Sequence, residues 1–313
     1  MISYISKRVF LALVTLVLVS FIVFVSAQVL PGDIGRTILG HFASQGQVNA
    51  LNATLGLDRP VMVRYWVWVT SFVRGDWGTS FTLQIPVFGL VMGRFLNSMY
   101  LGLFAFVLTV PVSIFFGVLA ASKRGTWIDR VVTITGMSLL ALPEFVSGVI
   151  LVIVFAVKLH WIPVSSQVPS ANPVSIVRNL LMPALPEMIL IFGYVSRMAR
   201  AGTIEVLESN YNRTAVLKGL PRFRILFRHV LRNSLLPTIT VVAVQVGYLV
   251  GGLVVVETLF SYPGIGNLIY SSAIAHDQPV LQAAVFLVAL VYTASNLIAD
   301  LAYLALNPRV RLG

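Results

Sequence analysis

The chain contains 313 residues, of which 58% are hydrophobic and only 11% are charged, and it has no cysteine. A soluble domain carries about a quarter charged residues, so this composition excludes an ordinary soluble enzyme and a disordered chain. The absence of cysteine excludes a disulfide-stapled secreted domain, a thiolate metal site and a cysteine nucleophile. The formal net charge of +11 would indicate nucleic-acid binding only if the basic residues shared one face of a soluble fold.

Six apolar stretches approach or exceed the roughly 20 residues that a membrane-crossing helix needs. They are 9–30, 95–121, 131–157, 180–196, 233–256 and 281–306. The fourth is the weakest, because it is short and contains Pro183, Pro186 and Glu187. We predict an all-α integral membrane protein in which 1–313 form a single domain with six transmembrane helices.

The first stretch also resembles a secretory signal, because Lys7 and Arg8 precede an apolar run. The run is longer than the apolar core of such a signal, and five more stretches follow. We therefore predict that it is retained as a transmembrane helix.

The segment 31–94, between the first two stretches, is too long to be a plain connector. Within it, 48–57 can form a short helix and 63–73 an amphipathic helix rich in aromatic side chains. The second helix is typical of an interfacial aromatic belt, and a docking surface for an extracytoplasmic partner is the alternative. A turn at 75–78 returns the chain towards the membrane.

Ionisable residues within the membrane are costly and are therefore functional candidates. Glu144 follows Pro143, whose kink could turn the carboxylate towards a translocation path, and a structural hydrogen bond to a neighbouring helix is the equal alternative. Glu187 fits an interfacial position better, Asp300 is expected to pair with a cytoplasmic arginine, and Gln245 is expected to form an interhelical hydrogen bond. The path candidates are Glu144, Glu187 and Gln245.

The segment 197–232 contains a predicted short helix at about 211–218, because Gly219 can form a left-handed cap and Pro221 stops the helix. Ala215 and Gly219 fall on one side of it. This side is nearly bare and would let another backbone approach closely. A rigid helix of this kind suits the transmission of force from a soluble partner, while the arginines that follow can hold the loop against anionic lipid. They are Arg222, Arg224, Arg228 and Arg232.

The distribution of Lys and Arg predicts the orientation. If the N-terminus is cytoplasmic, the inner segments 1–8, 122–130, 197–232 and 307–313 hold 15 of the 22 basic residues. Inner loops are enriched in basic residues, so both termini are predicted to be cytoplasmic. The positive charge is then a topology signal and does not indicate a nucleic-acid partner.

The segment from Tyr211 to Leu220, followed by Leu235-Leu236-Pro237, resembles the signature loop of permease subunits of binding-protein-dependent ABC importers. The similarity is greatest to the dipeptide, oligopeptide and nickel branch, and the long first outer loop resembles the first of its two permeases. Further motifs extend the resemblance over nearly the whole chain: Leu30-Pro31-Gly32-Asp33, Leu55-Gly56-Leu57-Asp58-Arg59-Pro60, Gly75-Asp76-Trp77-Gly78-Thr79-Ser80, Val256-Glu257, Phe260-Ser261-Tyr262-Pro263-Gly264-Ile265-Gly266, Gln278-Pro279-Val280-Leu281-Gln282 and Asn307-Pro308-Arg309-Val310-Arg311. One departure, Val216-Leu217 in place of a more common Arg-Ala pair, exchanges a charge for apolar surface.

The resemblance implies a type I ABC importer permease in the plasma (inner) membrane of a bacterium or archaeon. Its implied partners are a second homologous permease, two ATP-binding subunits that hold ATP and Mg²⁺, an extracytoplasmic substrate-binding protein and the lipid bilayer. Dipeptides, oligopeptides, nickel chelates, opines and glutathione all suit this scaffold.

The implied ATPase-coupling residues are Tyr211, Arg213, Ala215, Leu217, Lys218 and Gly219. From the residues alone 262–266 are a tight turn before a possible short helix. The outer gate candidates that the resemblance adds are Glu257, Pro263, Gly264 and Gly266.

The sequence lacks the motifs of several enzyme classes. None of the four lysines is followed by Ser or Thr, so there is no Walker A motif. The four histidines lack zinc-site spacing, and no Gly-x-Ser-x-Gly motif occurs. We predict a non-catalytic subunit without a metal or cofactor of its own. The alternative is an ion-driven secondary carrier or channel using Glu144 and Asp300. It would need paired ionisable groups deep in the membrane or an inverted repeat, and we find neither in the sequence.

Overall fold

The computed structural model describes residues 2–29, 34–40, 42–54, 56, 58–162, 164, 172–221 and 224–306. The predicted helix breaker at 31–33 and the motif at 307–311 lie outside these residues. In chain order the helices are α1 Ile2–Val29, α2 Ile34–Leu39, α3 Gln45–Thr54, α4 Val61–Val73, α5 Val87–Ser122, α6 Trp127–Leu140, α7 Glu144–Leu151, α8 Pro173–Leu207, α9 Asn210–Leu217, α10 Leu231–Leu259, α11 Ile265–Ile274 and α12 Gln278–Leu306. Val152–Lys158 and Ile225–Val230 are π-helical. Across the described ranges β-pairing is limited to a bridge between Thr79 and Pro86.

The all-α membrane fold predicted from the sequence is confirmed, whereas the number of spans stays a prediction. Among the described residues, four helices are long and apolar enough to cross a membrane, namely α1, α5, α8 and α12. The bent pair α6–α7 provides a fifth candidate. In α10 the apolar stretch Asn233–Gly247 is shorter. Six spans therefore require that the bent pair and α10 each cross the membrane once.

The third predicted span is sharply bent. The axes of α6 and of the helix Glu144–Lys158 differ by 106° across the break that contains Pro143. Proline lacks an amide hydrogen and disfavours a helical conformation in the preceding residue. The predicted kink is thus confirmed, and it makes Glu144 the first residue of a new helix.

Helix α8 is the centre of the fold, and its length differs from the prediction. The stretch 180–196 was expected to be short and interrupted, yet the helix runs unbroken for 35 residues through Pro183 and Pro186. Leu180, Met182 and Ala184 are buried in a core shared with α5 and α10. Packing on neighbouring helices outweighs the local cost of the two prolines, which is typical of membrane helices.

The backbone of α8 lies in close contact with the backbones of α5 and α10. A Cβ atom on Gly117 of α5 would overlap the carbonyl oxygen of Ser196, and one on Gly202 would overlap that of Ser234 in α10. Helices in lipid are held together by close packing and not by hydrophobic burial. Small residues allow the backbones to come near enough for such packing. Gly247 of α10 likewise faces the Tyr292 ring of α12.

The predicted amphipathic helix is α4, and it packs along α1. The hydroxyl groups of Tyr65 and Ser20 are 2.8 Å apart, and the Tyr65 ring makes an edge contact with Phe24. Trp68 joins this cluster to Phe286 of α12. The opposite side of α4 leaves large apolar side chains uncovered, including Trp66 at 64% exposure. The helix is therefore held between α1 and α12 with one apolar side facing outwards.

Candidate functional site

The predicted coupling helix is present as α9, which begins one residue earlier and ends one residue earlier than predicted. Gly219 has a φ of 73°, as the predicted left-handed cap requires. Its N–H donates to Val216 O at 2.9 Å, and the N–H of Leu220 donates to Ala215 O at 3.4 Å. These two bonds form a Schellman cap, which satisfies carbonyl groups at the end of the helix. The end of α9 is therefore rigidly defined.

Of the two residues on the bare side of α9, Ala215 is turned inwards, which corrects this part of the expected docking face. Ala215 is buried and packs with Ile225 and Val230 of the same loop. The small residue allows α9 to lie close against its own chain. The exposed side instead carries Val216 and Leu217, whose exposed fractions are 57% and 84%. Arg213, Lys218 and Gly219 are also exposed, and the side chain of Tyr211 lies outside the described residues.

A buried carboxylate organises the outer gate candidates. Glu257, near the end of α10, has no exposed surface and accepts hydrogen bonds from Ser98 Oγ at 2.5 Å and from the backbone N–H groups of Gly266 at 2.7 Å and Asn267 at 3.2 Å. Ser98 Oγ in turn accepts the N–H of Ile265 at 2.7 Å. The first N–H groups of a helix lack partners within the helix, and here Glu257 and Ser98 cap the first turn of α11.

Glycine is required at this cap. A Cβ atom on Gly264 would overlap the Glu257 carboxylate, and one on Gly266 would overlap the backbone of Val254. The carbonyl group of Pro263 accepts Asn97 Nδ2 at 2.8 Å. The turn 263–266 is thereby fixed to the start of α5, and the predicted short helix after it is α11.

A second buried carboxylate, Asp277, was missed as a site residue. It accepts Ser80 Oγ at 2.5 Å, Phe81 N–H at 3.1 Å and Thr82 N–H at 3.2 Å, as well as the Thr82 hydroxyl. Asp277 precedes α12 and joins it to the loop before α5. Ser80 lies in one of the sequence motifs, but a partner about 200 residues away leaves no local signal.

The candidate path residues Glu144 and Glu187 face each other. Their carboxyl groups are close enough to interact electrostatically. Glu187 is only 4% exposed and is therefore buried against neighbouring helices, while its interfacial position stays a prediction. Glu144 Oε1 is buried without a hydrogen-bond partner among the described residues. We found no such pair in the sequence, whereas the structure brings these two carboxyl groups together beside the bend at Pro143. Gln245 is buried in α10.

Three ion pairs, among them Arg124 with Glu208, join separate segments among the described residues. Arg8 Nη1 lies 2.9 Å from Asp300 Oδ2, which confirms the expected pairing of Asp300 with an arginine of an inner segment. Asp129, in the segment 122–130 before the third span, accepts Arg200 Nε at 2.6 Å and Nη2 at 2.9 Å. The Arg200 guanidinium lowers the pKa of Asp129 to about 2.

No group of three or more metal-ligating side chains occurs in the part of the chain that the structure describes.

Comparison with known proteins gives full-length matches. Residues 113–312 match the family model for the binding-protein-dependent transport system inner membrane component, and residues 1–102 match its N-terminal model. A Brucella abortus (strain 2308) protein, provisionally named a peptide transport system permease protein, is 35% identical over 312 residues and covers 99% of both chains. The glutathione transport system permease protein of Escherichia coli (strain K12) is 33% identical over 311 residues, again covering 99% of both chains.

Proposed function

Because the chain belongs to the family of binding-protein-dependent transport system inner membrane components, we propose that it forms half of the translocation path of an ABC importer for peptides or related small solutes. The observation that carries this proposal is the match over 99% of the chain to permeases named for peptide and glutathione transport. We further propose the implied assembly of a second permease, two ATP-binding subunits and an extracytoplasmic binding protein. The N- and C-termini then face the cytoplasm.

Helix α9 is the element that we assign to coupling. Its Schellman cap and its packing on Ile225 make it a firm projection. The exposed Val216 and Leu217 provide apolar surface for a cleft in an ATP-binding subunit, while Arg213 and Lys218 lie at its edge. Movement of that subunit would be transmitted through the loop to α8 and α10, which it connects.

The outer turn is proposed to move as one piece with α10. Glu257 belongs to α10 and holds the first turn of α11 through Gly266 and Asn267. A rotation of α10 would therefore carry α11 with it. The hydrogen bonds of Ser98, which join both helices to α5, would have to break during this movement. This arrangement supports a gate role for 263–266.

The pair Glu144–Glu187 is proposed to contact the solute. Two carboxyl groups close together in a poorly solvated region either share a proton or recruit a positive group. The amino group of a peptide has the required charge. The same pair is the observation that favours an ion-driven carrier as a second candidate function.

Reconstitution distinguishes these functions. The chain should transport peptide into proteoliposomes only when the second permease, the ATP-binding subunits, the binding protein and ATP are all present. Accumulation of peptide by this chain alone, driven by a proton gradient, would support the carrier and contradict the importer.

The coupling role is tested by Leu217→Asp, with Leu217→Met as the matched control. Full burial of a leucine contributes about 1.5–3 kcal/mol, so loss of this contact should weaken binding of the ATP-binding subunit roughly 10- to 100-fold. We expect reduced uptake for Leu217→Asp and nearly normal uptake for Leu217→Met. Wild-type uptake and subunit affinity in Leu217→Asp would refute the role of this side chain.

A further inference from the structure

A pocket of about 280 Å³ lies between the end of α1, helix α4, the turn at 76–78 and the start of α12. It is near the lower limit of small-molecule pockets, which span roughly 300–1,000 Å³. Phe24 and Trp68 form part of its wall, and polar groups from three different segments converge on it. None of the proposed coupling, gate or path residues lines it.

One buried hydrogen-bond donor beside the pocket lacks an acceptor among the described residues, and two arginines add positive charge. Gln282 of α12 lines the pocket and is only 4% exposed, and its Nε2 has no acceptor among the described residues. A buried donor without a partner costs about 1–3 kcal/mol. Arg59 and Arg64 also line the pocket, and Arg64 Nη2 donates to Gln28 Oε1 at 2.6 Å. This donor set suits an oxyanion, since guanidinium groups bind phosphate through several hydrogen bonds.

Acidic groups stand beside these arginines. Asp76 lines the same pocket and accepts the N–H of Gly78 at 3.0 Å, and Asp58 interacts electrostatically with Arg64. The pocket thus combines positive and negative groups. A ligand that carries both a phosphate and an ammonium group complements it better than a simple anion.

The position of α4 indicates where the ligand comes from. Tyr65 contacts Ser20, which precedes the end of α1 by nine residues, or about 13 Å along the helix. Trp66 and Val67 are exposed next to this contact. Helix α4 therefore lies against the outer part of the first span with an apolar side towards lipid, as interfacial helices do. If α4 lies at the membrane surface in this way, the adjacent pocket is at the level of the lipid headgroups.

We propose that this pocket binds the headgroup of a zwitterionic phospholipid, with the phosphate towards Arg59, Arg64 and Gln282 and the ammonium group towards Asp76. The bound lipid would fix α4 between α1 and α12. In the proposed orientation it belongs to the extracytoplasmic leaflet. The inference does not depend on the transported solute.

The test compares lipid retention by the assembled importer, purified from nanodiscs that contain phosphatidylethanolamine and phosphatidylglycerol, using native mass spectrometry. We expect one phosphatidylethanolamine per chain to remain, and binding about tenfold or more weaker in an Arg59→Gln, Arg64→Gln double variant, since two charge-assisted hydrogen bonds are lost. Arg74→Gln is the matched control, because Arg74 follows α4 and is exposed outside the pocket. Equal retention by all three proteins would overturn the proposal.

A second variant separates ligand binding from folding. Gln282→Leu removes the unpaired amide, so it should weaken lipid retention without lowering thermal stability in lipid-free detergent. Unchanged lipid retention in this variant would contradict the proposal. Displacement of the lipid by an equal concentration of soluble glycerophosphoethanolamine, or by a dipeptide, would also overturn it, because the pocket would then be a site for a free solute.

Discussion

Replacing Ser98 by alanine should destabilise the contact of α5 with α10 and the start of α11, because this hydroxyl group serves two buried partners. It donates to Glu257 and accepts the N–H of Ile265. An unsatisfied buried donor or acceptor costs about 1–3 kcal/mol, so the loss of both bonds should cost about 2–6 kcal/mol. Water has little access here, since Glu257 and Ile265 are fully buried.

Ser113→Ala provides the matched control, because Ser113 is a buried serine of the same helix α5. Its hydroxyl donates to Thr109 O at 2.7 Å, which is a bond within the helix. Removal of such a bond leaves the carbonyl group paired in the helix, so the cost should stay below about 1 kcal/mol. Thermal unfolding of both variants in the same detergent measures the difference. Equal midpoints for the two alanine variants would refute the proposed capping of α11 by Ser98.

The close approach of α8 and α10 predicts that Gly202→Leu disrupts the fold, because the side chain would overlap Ser234 O. Gly93→Leu should be tolerated in the same expression and unfolding assay, since a Cβ at Gly93 meets no atom within 4 Å. Asp129→Asn should destabilise the protein at neutral pH. The pKa of Asp129 is about 2 in the folded protein and about 3.9 in an unfolded chain. The stabilisation by the carboxylate is therefore complete above about pH 4 and disappears as the pH falls towards 2. A wild-type advantage that persists unchanged at pH 2 would contradict this assignment.

Two buried carboxylates of the last third of the chain have the same structural task. Glu257 binds two backbone N–H groups of α11, and Asp277 binds two backbone N–H groups of the loop before α5. Each replaces hydration that backbone groups lose on burial, which gives a buried ionisable residue a structural role at these positions. Glu257 contacts Ser98 within α5, and Asp277 contacts the loop that precedes α5, so this part of the chain is tied to two later segments.

The sequence by itself determined what depends on local chemistry. The apolar stretches predicted the membrane helices, Pro143 predicted the bend, and Gly219 predicted the cap of α9. Each of these signals acts within a few residues, because helix length, proline geometry and a positive φ are properties of the chain segment itself.

Only the tertiary structure decided which residues meet. It turned Ala215 inwards, brought Glu144 to Glu187, and placed Ser98 beneath Glu257, 159 residues along the chain. It also kept α8 continuous through two prolines. These outcomes depend on how helices pack against each other, and the free energy of packing outweighs local preference where a helix is surrounded by its neighbours.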